Sequence, residues 1–435
     1  MFNFVLTDVV YILSLLVLLS LPYWLPRAVT ALRVWLFARI NGTEGVPVPG
    51  DLVDVSRFLE VYGHPAARGR SRGAALSDLF WYWLSPGADV HQEHLEPGPR
   101  HAEVAACTRR VLTLPSRRAA SMAVESLRAA PPPADRRLVR LRDLAMPVWA
   151  EFYHRLVFGE PCPPGVRELI VAHADDVVTS LKCCGLRHMD RRLRLTAYLE
   201  SSLDRVPHLL PASLSRREQA YYLQGTFFNT AVVQSSEATA HALMVAATEG
   251  RGEGDGPAVG ELIEETLRRF PLFGVAHRVT YEDIGLGRDS VIPAGSVLCF
   301  NYPEFHAKGG NIPFGVPTNR PCPAWHLAPL TVQAVVAELL GAYTFTTWAA
   351  HTRSLPNRGP CLMTPHGQAA RLRLPLLAYL RVRDRWEEVT RSIAQLVLGT
   401  YMVWDARRLR LCERHFLLDE KGNHHDPAPR RGPRR

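Results

Sequence analysis

The sequence predicts a mainly helical domain with a small β portion, preceded by one transmembrane helix. Three observations lead there: an almost unbroken apolar run at the N-terminus, successive segments of helical periodicity, and one late stretch of strand-like pattern. At 435 residues, 47% of them apolar, the chain can bury a substantial core.

Phe4 to Leu25 is nearly all apolar and just reaches the about 20 residues that span a hydrocarbon core. Asp8 is its one charge, near the end where headgroups lie, and Tyr23 and Trp24 suit an interfacial aromatic belt. Arg27, Arg33 and Arg39 follow, which by the positive-inside rule makes that side cytoplasmic. A cleaved signal peptide is the alternative, but no basic n-region and no small-x-small cleavage site accompany the run. Arg27 to Ile40 alternates arginine with Leu, Val, Trp and Phe, a pattern expected to lie along a membrane surface. The Asn41-Gly42-Thr43 sequon is then accidental. The expected organisation is a transmembrane anchor over 1-26, a basic juxtamembrane segment over 27-45, the main domain over 46-374, a helical C-terminal extension over 375-420 and a polar basic tail over 421-435.

The net charge of +9 comes almost wholly from arginine, with Lys182, Lys308 and Lys421 the only lysines. An arginine bias of this kind fits a GC-rich coding sequence, so nucleic-acid binding is not inferred; an anionic membrane or an acidic protein partner suits the charge equally well. The eight cysteines are scattered without a CxxC pair, which indicates neither a zinc site nor a disulfide framework.

Val46-Pro47-Val48-Pro49-Gly50 breaks the first helix and opens the main domain. Ala102 to Ala130 has a helical pattern interrupted near Leu114-Pro115, and Leu138–Phe158, Val166–Cys184 and Arg191–Val206 read as amphipathic helices. Arg216 to Glu249 is the longest helical pattern, ended by the glycine-rich loop Gly250 to Gly256. Val259 to Phe270 is a short helix closed by Pro271. Val275 to Phe300 reads as strands around a turn at Pro293-Ala294-Gly295, and Trp325 to Ala342 is helical again.

One cluster carries chemistry. In Pro313-Phe314-Gly315-Val316-Pro317-Thr318-Asn319-Arg320-Pro321-Cys322-Pro323-Ala324, a proline-stiffened loop presents a single cysteine just before a helix. A thiolate-ligated haem needs a cysteine at fixed geometry, kept deprotonated by a helix N-terminus, with a cation such as Arg320 to offset the propionates. The run resembles the haem-binding loop of the cytochrome P450 family, Phe-x-x-Gly-x-Arg-x-Cys-x-Gly. Arg320 and Cys322 keep the family spacing; Phe314 stands one residue farther off, and Thr318 and Ala324 replace glycines.

Further stretches resemble the family in the right order. Glu265-Thr266-Leu267-Arg268 is similar to its Glu-x-x-Arg helix motif, where Glu265 and Arg268 share a helical face and are expected to form a buried structural pair rather than an ordinary surface pair. Val275 to Ile284 and Ile292-Pro293-Ala294-Gly295 resemble the strand and turn that follow, with Arg278 at a position that contacts a haem propionate. Gln234-Ser235-Ser236-Glu237-Ala238-Thr239-Ala240 resembles the oxygen-activating stretch of the central helix. Glu237 matches its acid and Thr239 its second threonine, while Ala238 replaces the first threonine, associated with proton delivery. Polar residues there could instead line a groove. His101 stands near a position where the family carries a propionate-binding histidine. The segments from Thr239 to Glu265 and from Gly295 to Phe314 are both shorter than the family's.

The resemblance implies a P450-like fold around a buried haem b, with Cys322 as the iron ligand. Arg278, Arg320, Phe314 and His101 would hold the haem, and Glu237 and Thr239 would assist proton delivery. The implied activity is a monooxygenase-type oxidation of a small hydrophobic organic substrate, with electrons from a ferredoxin or flavoprotein reductase, on the cytoplasmic side of a membrane. Ala238 leaves open a peroxygenase or isomerase that needs no redox partner. The two shortened segments leave open a catalytically silent partner protein.

Overall fold

The apolar N-terminal run forms one helix, α1 (Phe2–Asn41), which continues through Pro22 and Pro26. The computed structural model describes residues 2–41, 45–69, 75–84, 87, 90–250, 256–287, 290–348, 360–368, 373–412 and 414. The sequon's Gly42 and Thr43, the loop over 251–255 and the tail over 421–435 lie outside the described residues.

The chain continues through β1 (Val46–Val48), α2 (Phe58–Gly63), α3 (Ala75–Leu84), α4 (Pro99–Leu112), α5 (Ser116–Ala129) and β2 (Arg137–Arg140). Then come α6 (Leu141–Phe158), α7 (Pro164–Leu181), α8 (Met189–Ser202), α9 (Arg216–Gly225), α10 (Val232–Glu249) and α11 (Gly256–Arg269). The last part holds β3 (Val275–Val279), β4 (Ile284–Gly285), β5 (Val291–Ile292), β6 (Val297–Asn301), α12 (Tyr302–Ala307), α13 (Leu327–Ala342), β7 (Tyr343–Thr347), β8 (Pro360–Pro365) and α14 (Arg373–Leu409). The fold is mainly helical with small sheets, as expected.

The break at Leu114-Pro115 separates α4 from α5. A capping box starts α9: Ser215 Oγ accepts from the Glu218 amide while the Glu218 carboxylate accepts from the Ser215 amide. The long central pattern is α9 and α10 joined by a π-helical turn, Thr226–Ala231, a feature that often marks functional sites. α10 runs through the main apolar core, against α6, α11 and α13, with Trp149, Phe152, Phe227, Phe228 and Leu243 fully buried around it.

Three small sheets flank the helices. In the first, β6 lies between β1, parallel to it, and β3, antiparallel, with Arg278 opposite Leu298. The second has the order β2-β8-β7 and the third pairs β4 with β5. Phe58 and Tyr62 of α2 pack on Phe300, Tyr302 and Phe305 to form a second core under the first sheet. The Tyr62 carbonyl also accepts from Asn319, which ties this core to the loop that carries Cys322.

Arg27 to Ile40 continues α1 and packs on α14. Arg33 donates to Gln395 Oε1 at 2.6 Å, Arg385 covers the Tyr23 ring at 4.9 Å, and Phe37 lies against Gly399. Gln395 in turn donates to the Lys182 carbonyl, so α14 is wedged between α1 and the end of α7. A Cβ at Gly399 would stand 2.8 Å from Phe37 Cζ and 3.0 Å from Cys183 Cβ. Gly399→Leu should therefore cost about 1–3 kcal/mol through overpacking. Chemical denaturation in detergent, followed by circular dichroism, should show a lowered midpoint; an unchanged midpoint would mean that the three segments do not meet at Gly399.

Candidate functional site

The loop before α13 is held by its own backbone and by α2. The Cys322 amide donates to the Phe314 carbonyl at 3.1 Å, closing the loop on itself. Arg320 takes a left-handed backbone, φ 49°, which turns the chain toward Cys322. The buried Asn319 amide nitrogen donates to the Tyr62 and Ala67 carbonyls at 2.5 and 2.9 Å. Gly315, at φ +73°, lets Tyr62 approach: a Cβ there would meet Tyr62 Oη at 3.1 Å.

Cys322 borders an apolar cavity whose empty space is about 1220 Å³ when the part open to solvent is counted. The loop bounds it with Pro313, Phe314, Gly315, Arg320, Cys322 and Ala324. The π-turn and α10 contribute Thr226, Phe227, Thr230, Ala231, Gln234, Ser235 and Ala238, and Leu267, Leu272, Phe273 and Val332 add apolar wall. Burial pushes the Cys322 thiol up to about 11, against the lowering effect of the Ala324 amide. The turn at 323–326 separates the cysteine from α13, so the helix end alone does not hold a thiolate; a coordinated metal ion deprotonates a thiol outright.

Two arginines meet at the same cavity, both already engaged. Alternation along β3 puts Ala276 and Arg278 on one face, and both line the cavity. Arg278 donates to Glu93 at 2.8 Å and to the His277 carbonyl, while its buried Nε has no partner. Arg320 donates to the carbonyls of Arg68, Gln92 and Leu95 at 2.7–3.1 Å. Burial would raise the Glu93 carboxyl, but Arg278 first and then Arg320 outweigh it and hold Glu93 below the ordinary glutamate range. His101 is half-buried nearby; burial and then Arg320 lower its imidazole, and it stands outside the cavity lining.

Glu237 and Thr239 are corrected in position. Successive helical residues point about 100° apart, and of the three in Glu237-Ala238-Thr239 only Ala238 lines the cavity. Glu237 instead meets the fully buried Arg142 at 3.5 Å, which also holds Asp175 at 2.7 Å, with His241 3.7 Å from the Glu237 carboxylate. Thr239 Oγ1 accepts from Trp149 Nε1 at 3.0 Å and donates to the Ser235 carbonyl. Both are structural contacts to α6 and within α10. Glu265 and Arg268 do pair, at 2.6–2.9 Å, but on the surface rather than buried: the side chains are 31% and 51% exposed.

Sequence reasoning missed Glu93, His91 and Gln234. Glu93 and His91 sit in a polar run, His91-Gln92-Glu93-His94, a cluster of titratable groups that could have drawn notice. Gln234 Oε1 is buried without a partner on the cavity wall, and Ser235 Oγ shares a hydrogen bond of 2.9 Å with Tyr153 Oη. The donor set fits a haem: one cysteine with its thiol on an apolar cavity, a buried Arg278 Nε awaiting an acceptor, and a second guanidinium beside it. One feature opposes the fit, since Glu93 already takes the place at Arg278 that a propionate would fill.

The sequence matches no known family model and no curated protein sequence. Solved structures do match. A cytochrome P450 from Thermus thermophilus superposes with a TM-score of 0.54 at 18% identity, covering 70% of this chain and 90% of that one. A single-residue variant of cytochrome P450 OleT, in complex with arachidonic acid, gives 0.56 at 14% over 70% and 85%. P450BioI, in complex with an acyl carrier protein ligated to hexadec-9Z-enoic acid, gives 0.55 at 14% over 72% and 91%. Together with the cysteine loop and the central helix beside its cavity, these likenesses give the chain the cytochrome P450 fold.

Proposed function

We propose that residues 46–374 form a haem-thiolate oxidoreductase domain that oxidises a small hydrophobic organic molecule. The observation that carries this reading is Cys322, held by a rigid loop on the wall of a large apolar cavity next to the central helix. Cys322 would ligate the iron of a haem b, Phe314 would pack against the macrocycle, and Arg278 and Arg320 would offset its carboxylates, with His101 near by. Such a haem supplies an electron-rich iron whose thiolate ligand favours O–O bond cleavage. The apolar wall excludes water and orients an apolar substrate. Two of the similar structures hold a fatty acid or a fatty acyl carrier protein, and an acyl chain would suit these walls equally. A ferredoxin or flavoprotein reductase would supply electrons in a monooxygenase cycle.

A second reading gains from the corrected positions of Glu237 and Thr239. With both engaged elsewhere and Ala238 on the wall, α10 offers the cavity no acid–alcohol pair. The π-turn and α10 give the cavity Thr226, Thr230, Gln234 and Ser235, whose Oγ shares a hydrogen bond with Tyr153 and can hold a proton, while the acid in the lining, Glu93, is paired with Arg278. This favours an oxidant that arrives already reduced, a peroxide, or a substrate already oxidised, with no redox partner. Anchoring by α1, the one described helix long and apolar enough to cross a membrane, would keep the domain at a bilayer, on its cytoplasmic side by the arginines that follow.

Titrated with haemin, the detergent-purified protein should take up one equivalent with a sharp Soret change, and Cys322→Ala should retain far less; equal uptake by both would remove the ligand role. Glu93→Gln should bind haemin about tenfold more tightly or better, because Arg278 is freed, a gain of about 1.4 kcal/mol. It should also destabilise the unloaded protein by about 3 kcal/mol, as an uncompensated buried charge does, read by thermal denaturation. Finally, hydrogen peroxide should support turnover of a medium-chain fatty acid in the absence of any reductase, with Ser235→Ala slowing it by about 10²-fold if Ser235 handles the proton. Turnover only with a reductase, unaffected by Ser235→Ala, would favour the monooxygenase reading.

A further inference from the structure

A second chamber adjoins the Cys322 cavity, with an empty space of about 1030 Å³ when the part open to solvent is counted. His91, Glu93, Thr230, Gln234, Phe273 and Arg278 line both spaces, so the two meet along a common seam. Trp81, Leu84, Leu181, Val233 and Val275 give the second chamber apolar walls.

The seam and the π-turn beside it carry hydrogen-bonding groups that the fold leaves unused. Thr226, Thr230 and Gln234 stand four residues apart and share one face of the central helix. Thr226 Oγ1 and Gln234 Oε1 are buried without a partner among the described residues. Asn229, 7% exposed, adds a carboxamide to the second chamber from the same turn. The His91 ring approaches this helix, since a Cβ at Gly225 would meet His91 Cδ2 at 3.9 Å. His91 Nδ1 accepts from the Glu93 amide at 3.2 Å, and burial lowers the imidazole below its ordinary range. The neutral ring therefore carries its hydrogen on Nε2, as a donor. A buried acceptor without a donor is costly, and a ligand that supplies one recovers the loss.

The charges at the seam restrict what that ligand can be. Glu93 and Arg278 are already paired at 2.8 Å. A further charge of either sign would lose its water and meet one like charge. A neutral group is favoured, and it must donate to Gln234 while accepting from His91. A hydroxyl does both with one atom, whereas a carboxylate or an ether has no hydrogen to give.

We propose that the seam binds the hydroxyl of a hydrophobic alcohol between Gln234 Oε1 and His91 Nε2, with the carbon body among Trp81, Leu181 and Val233. That this alcohol is the substrate rests on the oxidoreductase reading above; its binding does not.

Fluorophenylbutanol, its methyl ether and fluorophenylbutanoate test the assignment on the detergent-purified full-length protein. Fluorine NMR line broadening gives each affinity, corrected for partition into protein-free micelles. The alcohol is expected to bind about tenfold more tightly than the ether or the carboxylate, or better, as a site built around a hydroxyl should. Gln234→Leu and His91→Phe should each remove most of that preference and leave the ether's affinity unchanged, which also shows that the variants fold. Equal affinities for alcohol and ether would overturn the proposal, because water alone would then serve Gln234. A preference that survives both substitutions would overturn it by placing the alcohol elsewhere. Tighter binding of the carboxylate would overturn it by making Arg278 the recognising group. Haemin uptake is read separately by the Soret band: its absence beside an intact alcohol preference would remove the oxidoreductase reading and keep this site.

Discussion

The arrangement of the site depends on the Arg320 guanidinium, whose donors tie the cysteine loop to segments more than two hundred residues away. It donates to the carbonyls of Arg68, Gln92 and Leu95, so the loop before α13 and the segment before α4 are fixed by the same group. Hydrogen bonds from a charged group are worth about 1.5–3 kcal/mol each, more than neutral ones. Asn319 adds two bonds to α2 and the turn after it, and the left-handed backbone at Arg320 turns Cys322 to the cavity wall. The same clamp has a chemical consequence. In the proposed haem site, a guanidinium spent on carbonyls would stand beside a propionate as a charge rather than as a fork of donors, anion recognition would fall to Arg278, and Glu93 would decide whether Arg278 is available.

Much of the helical scaffold was legible in the sequence because periodicity is local. The apolar run of α1, the split at Pro115, the central helix and the pattern before Pro271 each need only a dozen neighbouring residues to be read. Cys322 was legible for a different reason: a single cysteine among four prolines, two residues after an arginine, is rare enough to carry meaning. The facing of Glu237, Ala238 and Thr239 was not legible. A spacing match cannot say which of three consecutive helical residues meets the cavity, and the π-turn upstream resets the face that the helix presents. The result is an alanine on the wall, with the acid bound to Arg142 and the threonine to Trp149.

The other departures also come from long-range packing. Whether Glu265 and Arg268 are buried depends on chain that covers α11, which their own spacing cannot show, and the pair lies on the surface. β2 pairs with β8 across more than two hundred residues, and the contact of Arg33 with Gln395 joins the two ends of the described chain. That contact changes the sense of the C-terminal extension. α14 is part of the support for α1, through a small apolar cluster that includes Leu79, Tyr82, Met402 and Val403. α14 thus joins α1 to the rest of the fold.

The central claim is that Cys322 is the thiolate ligand of a haem. The reduced, carbon-monoxide-bound difference spectrum of the detergent-purified protein, taken beside Cys322→Ala, tests it most directly. Thiolate ligation by Cys322 predicts a Soret band strongly red-shifted from that of histidine-ligated haem, and its loss in the variant. A folded protein without haem absorbance, or a red-shifted band that survives the substitution, would contradict it.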